Sequence, residues 1–421
     1  MAKLEIFDEV VDIMRHDSST CKDITGGNVD EYRVKIKEEM SDFDFLYAIQ
    51  SYLATFGIKG HINFYQTNSN QSLNFKVQRY HDALYVTDVA KNTSLKTGNK
   101  IVEVDGIPVK DFALQHVEFM YGEVEERQAY GWQRLLKFCK SVTVETEDST
   151  LTMPVKLDGE WEEKERYFCK ELVENVLYMR LADFDDEESI QNMYAANEEL
   201  LVKSRYFVID VRGNSGGSIS CFFPLMKYCL PVGKTINELG LKLSNVETNY
   251  TERNCNSRLE LIEQYRLMEL PEETAKMLDA MEAELEKYKG KGFIEDSQDM
   301  ELPIVGEDGV EHVYIITDEN CASSGDAFVE IMSVSPKVTI VGRPTMGIQD
   351  YSSICEVSLG DFSFVYPTTR LTAIDDGIMQ TKNGVAVDVY VPWTPDFLTR
   401  DVDIETVMDL IKKKEQEKED L

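Results

Sequence analysis

The chain has 421 residues, 43% of them hydrophobic and 29% charged, and its 44 basic and 77 acidic side chains give a formal net charge of −33. That length is enough for roughly two or three domains with at least one large core. The negative charge argues against nucleic acid or an anionic membrane as partner, because both are polyanions.

Residues 1–71 read as a helical N-terminal region. FDEVVDIM and DEYRVKIKEEMSDFDFLYAIQSYLATF carry apolar residues at three- and four-residue spacing. Gly57 and Gly60 end the helices, and HINFYQ resumes as a strand. MAKLEIFDEVVDIM has acidic residues where a secretory leader is apolar, and no run approaches a membrane span. A cytoplasmic protein is therefore expected. The eight cysteines form no CxxC pair, so neither a zinc site nor a disulfide framework is expected.

Residues 72–155 read as a β-rich module, in which ALYVTDVAKNTSLKTGNKIVEVDGIPVKDF has two strands and a tight turn at Asp105-Gly106. From 156 to 421 strands and helices alternate: NVLYMRLADF, the helix EESIQNMYAANEELLVKS, the buried strand RYFVIDVRG, then the helix CFFPLMKYCL. Alternation of this kind predicts a largely parallel sheet covered on both faces. Residues 235–300 interrupt it with two charged helices, the second starting at Pro271. This insertion would serve as a lid or as an arm for a homo-oligomer. IETVMDLIKKKEQEKEDL closes the chain as an amphipathic helix.

Two joints could carry chemistry. VIDVRGNSGGS, Val208 to Ser218, takes an apolar strand through Gly213, Gly216 and Gly217 into a helix. Such a turn exposes backbone N–H groups to an anion, a phosphate or an oxyanion, although glycine is also used where a turn simply needs room. It lacks both the G-x-G-x-x-G and the GK[ST] spacing. ENCASSGDAF, Glu319 to Phe328, leads from the strand VYII to a helix. Ser323 or Ser324 would sit at the helix N-terminus, either as a cap or as a nucleophile whose developing charge the helix stabilises. Cys321 is a rival nucleophile, more in keeping with a packed thiol. A serine nucleophile needs a base, and the histidines are 16, 61, 81, 116 and 312. His312 should lie at the far end of its strand. His61, at a glycine turn between helix and strand, stands out modestly from the others.

Together these stretches resemble the C-terminal-processing (tail-specific) serine peptidases, and within them the tricorn-core and retinoid-binding-protein branch. YFVIDVRGNSGGS is similar to that family's strand and glycine turn, and VYIITDENCASSGDAF to its nucleophile strand and helix. VTIVGRPTMG is similar to the next strand, and NGVAVDVYVPWT to a late Gly-Val-x-Pro-Asp segment, with Val387 where proline is usual. LKTGNKIVEVDGIPVKDF is similar to a PDZ-like insert that in the family cradles peptides.

The resemblance implies an α/β fold: a crotonase/ClpP-like core of stacked βα units, a PDZ-like β-rich insert and a helical N-terminal region. It makes Ser323 the nucleophile, three positions before Asp326, where glutamate is commoner. The oxyanion would be held by N–H groups of Ser324 and of Gly216 or Gly217. One branch of the family uses a lysine base at the position of Ile348, which cannot take a proton. The tricorn-like branch uses a histidine after an N-terminal glycine, which His61 matches. Gln380 falls near the expected third catalytic residue, with Asp375 and Asp376 as acidic alternatives. The implied activity is a serine endopeptidase acting on unfolded or C-terminally exposed polypeptides, with no metal or organic cofactor. The alternatives are a catalytically inactive peptide- or apolar-ligand-binding protein on the same scaffold, and an acyl-CoA enzyme of the crotonase type.

Overall fold

The first helix, Lys3–His16, buries Ile6, Phe7, Val10, Val11, Ile13 and Met14, the stripe its apolar spacing dictates. In the computed structural model this helix belongs to the first of two units, made of 1–69, 243–299 and 350–379, while the second unit is made of 70–242, 300–349 and 380–421. The structure describes residues 1–420 except 70, 147–148, 242–243, 269, 271 and 297–301.

The first unit is built on a five-stranded antiparallel sheet. Strand Phe362–Leu371 is its centre. It pairs with Asn63–Gln66, with Val246–Tyr250 and, through a hairpin at Gly360-Asp361, with Tyr351–Leu359. Gly292–Asp296 adds to Val246–Tyr250. Helices Lys3–His16 and Asp42–Ala54 place Phe7, Phe45, Tyr52 and Leu53 in one core with Phe64, Phe362, Phe364 and Tyr366 of the sheet.

The long helix expected from Asp30 to Phe56 is broken. Val29–Arg33 forms one short helix, and a new one begins at Asp42 because the Ser41 hydroxyl caps it, accepting from Asp44 N at 3.1 Å. The insertion has its expected helices, Glu252–Arg266 and Glu272–Tyr288, but they stand between the strands Val246–Tyr250 and Gly292–Asp296. Pro271 lies outside the described residues.

Arg370 anchors this unit. Its side chain is fully buried and its guanidinium binds Asp23, Glu247 and Asp375. Removing the arginine empties its fully buried site and leaves Glu247, Asp23 and Asp375, with side chains 14%, 18% and 55% exposed, without it. Arg370→Ala is expected to cost about 2–4 kcal/mol, chiefly through the cavity, read as a drop in the urea midpoint. A loss below about 1 kcal/mol would mean that water takes over the arginine's contacts.

The second unit holds the predicted α/β core. Its six-stranded sheet runs Val389–Tyr390, Val338–Gly342, His312–Thr317, Tyr206–Asp210, Val176–Leu181, Tyr167–Val173. All neighbours are parallel except the last pair. Tyr206–Asp210 and His312–Thr317 are buried at every position, as strands covered on both faces must be. The C-terminal helix Val402–Glu419 packs Val407 and Ile411 on one face, against Val208, Ile316 and Val341. Elsewhere in the core Phe222 and Phe328, from the segments that follow the second and third of these parallel strands, pack against Phe184.

The helix expected over 187–204 divides at Asn197, whose side-chain amide turns back to the Met193 carbonyl at 2.8 Å. The PDZ-like module also lies in this unit, as an antiparallel sheet ordered Phe75–Tyr80, Ala83–Val89, Lys100–Val104, Ser141–Glu145, Thr150–Pro154. Helix Ala129–Leu135 buries Trp132 in it.

Candidate active site

The strand His312–Thr317 delivers the chain to a turn, and the helix Ser324–Ser333 leaves it. Ser323 stands between them with φ 57° and ψ −120°. A side chain rarely adopts positive φ, and such a residue typically costs about 1–3 kcal/mol. The strain turns the residue out of the strand direction, as a sharp strand-to-helix turn does for an exposed nucleophile. Ser324 is not the cap: it is the first helical residue, and its hydroxyl donates to the Gly217 carbonyl at 2.5 Å.

Asp326 holds the turn. It is fully buried and accepts Ser323 N at 2.7 Å, Gly347 N at 2.8 Å and Ile348 N at 3.1 Å. Burial pushes its carboxyl up to about 6, while these amides and the Thr345 hydroxyl oppose the shift. The 345–349 segment is thereby laced to the Ser323 turn, and Met346 N adds a bond to the Cys321 carbonyl at 2.6 Å. Arg127 of the PDZ-like module grips the other side of the same segment, donating to the carbonyls of Pro344, Thr345 and Met346. Ile348 packs with Ala322 and Met346.

The glycine turn approaches Ser323 directly. Gly216 has φ +92°, and a Cβ there would lie 2.6 Å from Ser323 Cβ. Gly217 has φ +130°, and a Cβ there would lie 2.2 Å from the Phe184 carbonyl. Asn214, fully buried, organises the turn. Its Oδ1 accepts Gly216 N at 2.9 Å, its Nδ2 donates to Leu181 O at 3.1 Å, and its carbonyl accepts Ala322 N at 2.8 Å. Gly216 thus gives Ser323 room, and its own N–H is already engaged by Asn214. Among the described residues, nothing accepts from the N–H of Gly217 or of Ser324. Asp318 ties the two joints together through Gly213 N at 2.7 Å and Asn320 N at 3.1 Å.

Beside this turn a groove of about 620 Å³ runs between strand Phe75–Tyr80 and helix Ala129–Leu135. Lys76 to Gln78, Tyr130 and Gln133 form its walls, and Gly213 and Asp318 to Asn320 close it. Phe75–Tyr80 is an edge strand of its sheet among the described residues. The Gln133 amide nitrogen is buried there without a partner among them.

His61 lies in the first unit, one residue after Gly60 with its φ of +69°. Its Nδ1 is 2.5 Å from the Tyr351 carbonyl. A carbonyl only accepts, so Nδ1 carries a hydrogen, and in the neutral ring Nε2 is the nitrogen with the lone pair. The other histidines are used elsewhere. His312 is buried, bonded to Thr339, and pushed down to about 4 by burial, so it is neutral at ordinary pH. His116 stacks on Phe112, His16 pairs with Asp12, and His81 occupies the turn between two strands. Cys321 is fully buried and its thiol is driven well above the usual range by burial, which leaves no thiolate for attack.

Gln380 belongs to the second unit, where its carbonyl accepts from Asn383 N at 3.0 Å and Gly384 N at 2.7 Å. Asp375 is an ion-pair partner of Arg370 in the first unit. Sequence reasoning missed Asn214, Asp318, Arg127 and Gln349. The first two stand inside the motifs already singled out, and their side-chain bonds were the unread part.

Residues 175–391 match the family model described as Peptidase family S41. No curated protein sequence matches the chain. Among solved structures, the chain is similar to mature CPAF complexed with lactacystin and to mature CPAF alone. Each is 12% identical with a TM-score of 0.63, over 94% of this chain and 94% or 93% of the other. A photosystem II D1 C-terminal processing protease is 13% identical with a TM-score of 0.45, over 94% of both chains. At these identities the CPAF likeness is one of fold. Among the described residues no helix is long and apolar enough to cross a membrane.

Proposed function

The chain belongs to peptidase family S41 and is a serine-type peptidase, and on that premise we propose that Ser323 is its nucleophile and His61 its base. His61 Nε2 takes the hydroxyl proton as Ser323 Oγ attacks a peptide carbonyl, and returns it to the leaving amine. Water then repeats the sequence on the acyl-enzyme. The N–H groups of Ser324 and Gly217 receive the oxyanion, the step where fixed dipoles contribute most. In this reading the Tyr351 carbonyl orients the imidazole, and Gln380 contributes hydrogen bonding without charge. With isoleucine at 348, where one branch of the family has its lysine base, this reading gives the proton transfer to His61.

The observation that carries this reading is Ser323 itself, held at positive φ between a buried strand and a helix, with a glycine turn against its side chain. The groove beside it supports an extended polypeptide as substrate. An unpaired edge strand offers backbone hydrogen bonds, and the unpartnered Gln133 amide offers one more. Unfolded or C-terminally exposed chains are the substrates that can enter it. Eight free cysteines fit a cytoplasmic setting.

A fluorophosphonate probe tests the assignment. It should label the protein once, at Ser323 by peptide mapping, and labelling should vanish in Ser323→Ala. Labelling at another serine, or none on folded protein, would sink the nucleophile and favour a binding protein on this scaffold.

A further inference from the structure

Gln349 follows Ile348, and its side chain reaches the nucleophile. Its Nε2 donates to the carbonyl of Ser323. We infer that Gln349 is a positioning residue for the reaction, one that fixes the peptide plane leaving Ser323. The inference rests on Ser323 being the nucleophile.

Ser323 has two flanking peptide units, and its unusual φ and ψ are set by how those two planes are held. The plane before it is fixed through Ser323 N, which donates to Asp326 at 2.7 Å. The plane after it is fixed through Ser323 O, which accepts Ala327 N at 3.0 Å and the Gln349 amide. That second plane also carries the Ser324 N–H, the proposed oxyanion donor. Rotating it would swing the Ser323 carbonyl and the Ser324 N–H to opposite sides, so a shift of the carbonyl is also a shift of the donor. A carbonyl at a helix N-terminus ordinarily makes only the bond to the fourth residue on, and that alone permits a range of plane angles. The side-chain amide narrows the range.

The chain gives Gln349 a firm base from which to do this. Ile348 N is bonded to Asp326, the Ile348 side chain packs with Ala322 and Met346, and Gly347 N is bonded to the other oxygen of Asp326. The apolar residue at 348 therefore has a use. It seats the segment, and the next residue delivers a neutral donor to the nucleophile's backbone instead of a base to its hydroxyl. The orientation of the amide is not ambiguous, because the partner is a carbonyl and only nitrogen can donate to it.

The test compares Gln349→Glu and Gln349→Met with the native protein. Gln349→Met keeps the length and removes the donor. It should lower the fluorophosphonate labelling rate and kcat by about 100-fold, the scale of a misplaced reacting group, with KM little changed. Gln349→Glu places a carboxylate against a carbonyl at pH 8 and a carboxyl able to donate at lower pH. Its labelling rate, divided by the native rate at the same pH, should rise about tenfold or more between pH 8 and pH 5.5. A ratio flat with pH, or native labelling in Gln349→Met, overturns the inference, since a purely packing role would give either. Amide exchange keeps the question separate from the chemistry. The Ala327 N–H, which donates to the same Ser323 carbonyl, should exchange at least about tenfold faster in Gln349→Met, whether or not the native protein is labelled. Unchanged exchange also overturns it, whereas failure of native labelling would overturn only the assignment of the nucleophile.

Discussion

Peptide hydrolysis should fall by about 10⁴- to 10⁶-fold in Ser323→Ala and by a comparable amount in His61→Ala, and the double variant should be no worse than the poorer single one. The proposed mechanism has the two side chains act on one proton. Once the hydroxyl is gone, a base has nothing to take. Once the base is gone, the hydroxyl remains a weak nucleophile at neutral pH. The Tyr351 carbonyl holds a hydrogen on Nδ1, which selects for the neutral ring the tautomer with its lone pair on Nε2. A neutral carbonyl stabilises the resulting imidazolium less than a carboxylate does. His61→Gln should therefore be as poor as His61→Ala, because it keeps hydrogen bonding and loses proton transfer. The measurement is kcat/KM on a flexible peptide substrate for the native protein and the four variants. If the losses multiply in the double variant, the two residues work independently and the pairing is wrong. If His61→Ala keeps full activity, the base lies elsewhere.

Much of this was legible from the residues. Continuous apolar strands such as RYFVID can only be buried on both faces, and the parallel sheet follows. ENCASSGDAF could be read as a strand-to-helix joint, yet the choice between a cap and a nucleophile was not local. It depends on φ at Ser323, held through Asp326 and Gln349, and on what leans against its side chain, a turn more than a hundred residues earlier. The strands Val246–Tyr250 and Gly292–Asp296 were not read because each is five residues long, half exposed, and defined by its partner across the helical hairpin. Gln349 was invisible for a related reason. A lone glutamine after an apolar residue has no periodicity, and its meaning is a single bond to a carbonyl twenty-six residues away. The division of labour between Gly216 and Gly217 was likewise beyond spacing, since it turns on where the Asn214 side chain points.

That division yields the other large expected effect. Three glycines of one turn, Gly213, Gly216 and Gly217, all have positive φ, but a methyl group would meet different things at each. At Gly213 it meets nothing within 4 Å, so Gly213→Ala should cost only the backbone penalty of about 1–2 kcal/mol and leave kcat near native. At Gly216 it meets Ser323 Cβ at 2.6 Å, so the nucleophile itself must move. At Gly217 it meets the Phe184 carbonyl carbon and oxygen at 2.2 Å. Phe184 pairs with this turn through two bonds, Phe184 N to Gly216 O at 2.6 Å and Ser218 N to Phe184 O at 2.8 Å. The added methyl must break that pairing and turn the Gly217 N–H, the proposed oxyanion donor, out of its present direction. Loss of one such donor costs about 10²–10³ in kcat. Gly217→Ala and Gly216→Ala should therefore lose at least that much, and thermal melts of all three variants will show how much each also loses in stability. The decisive comparison is kcat at a temperature where every variant is folded. Gly217→Ala matching Gly213→Ala there would mean that the glycine turn only closes the fold, and that the oxyanion is held by something other than its amide.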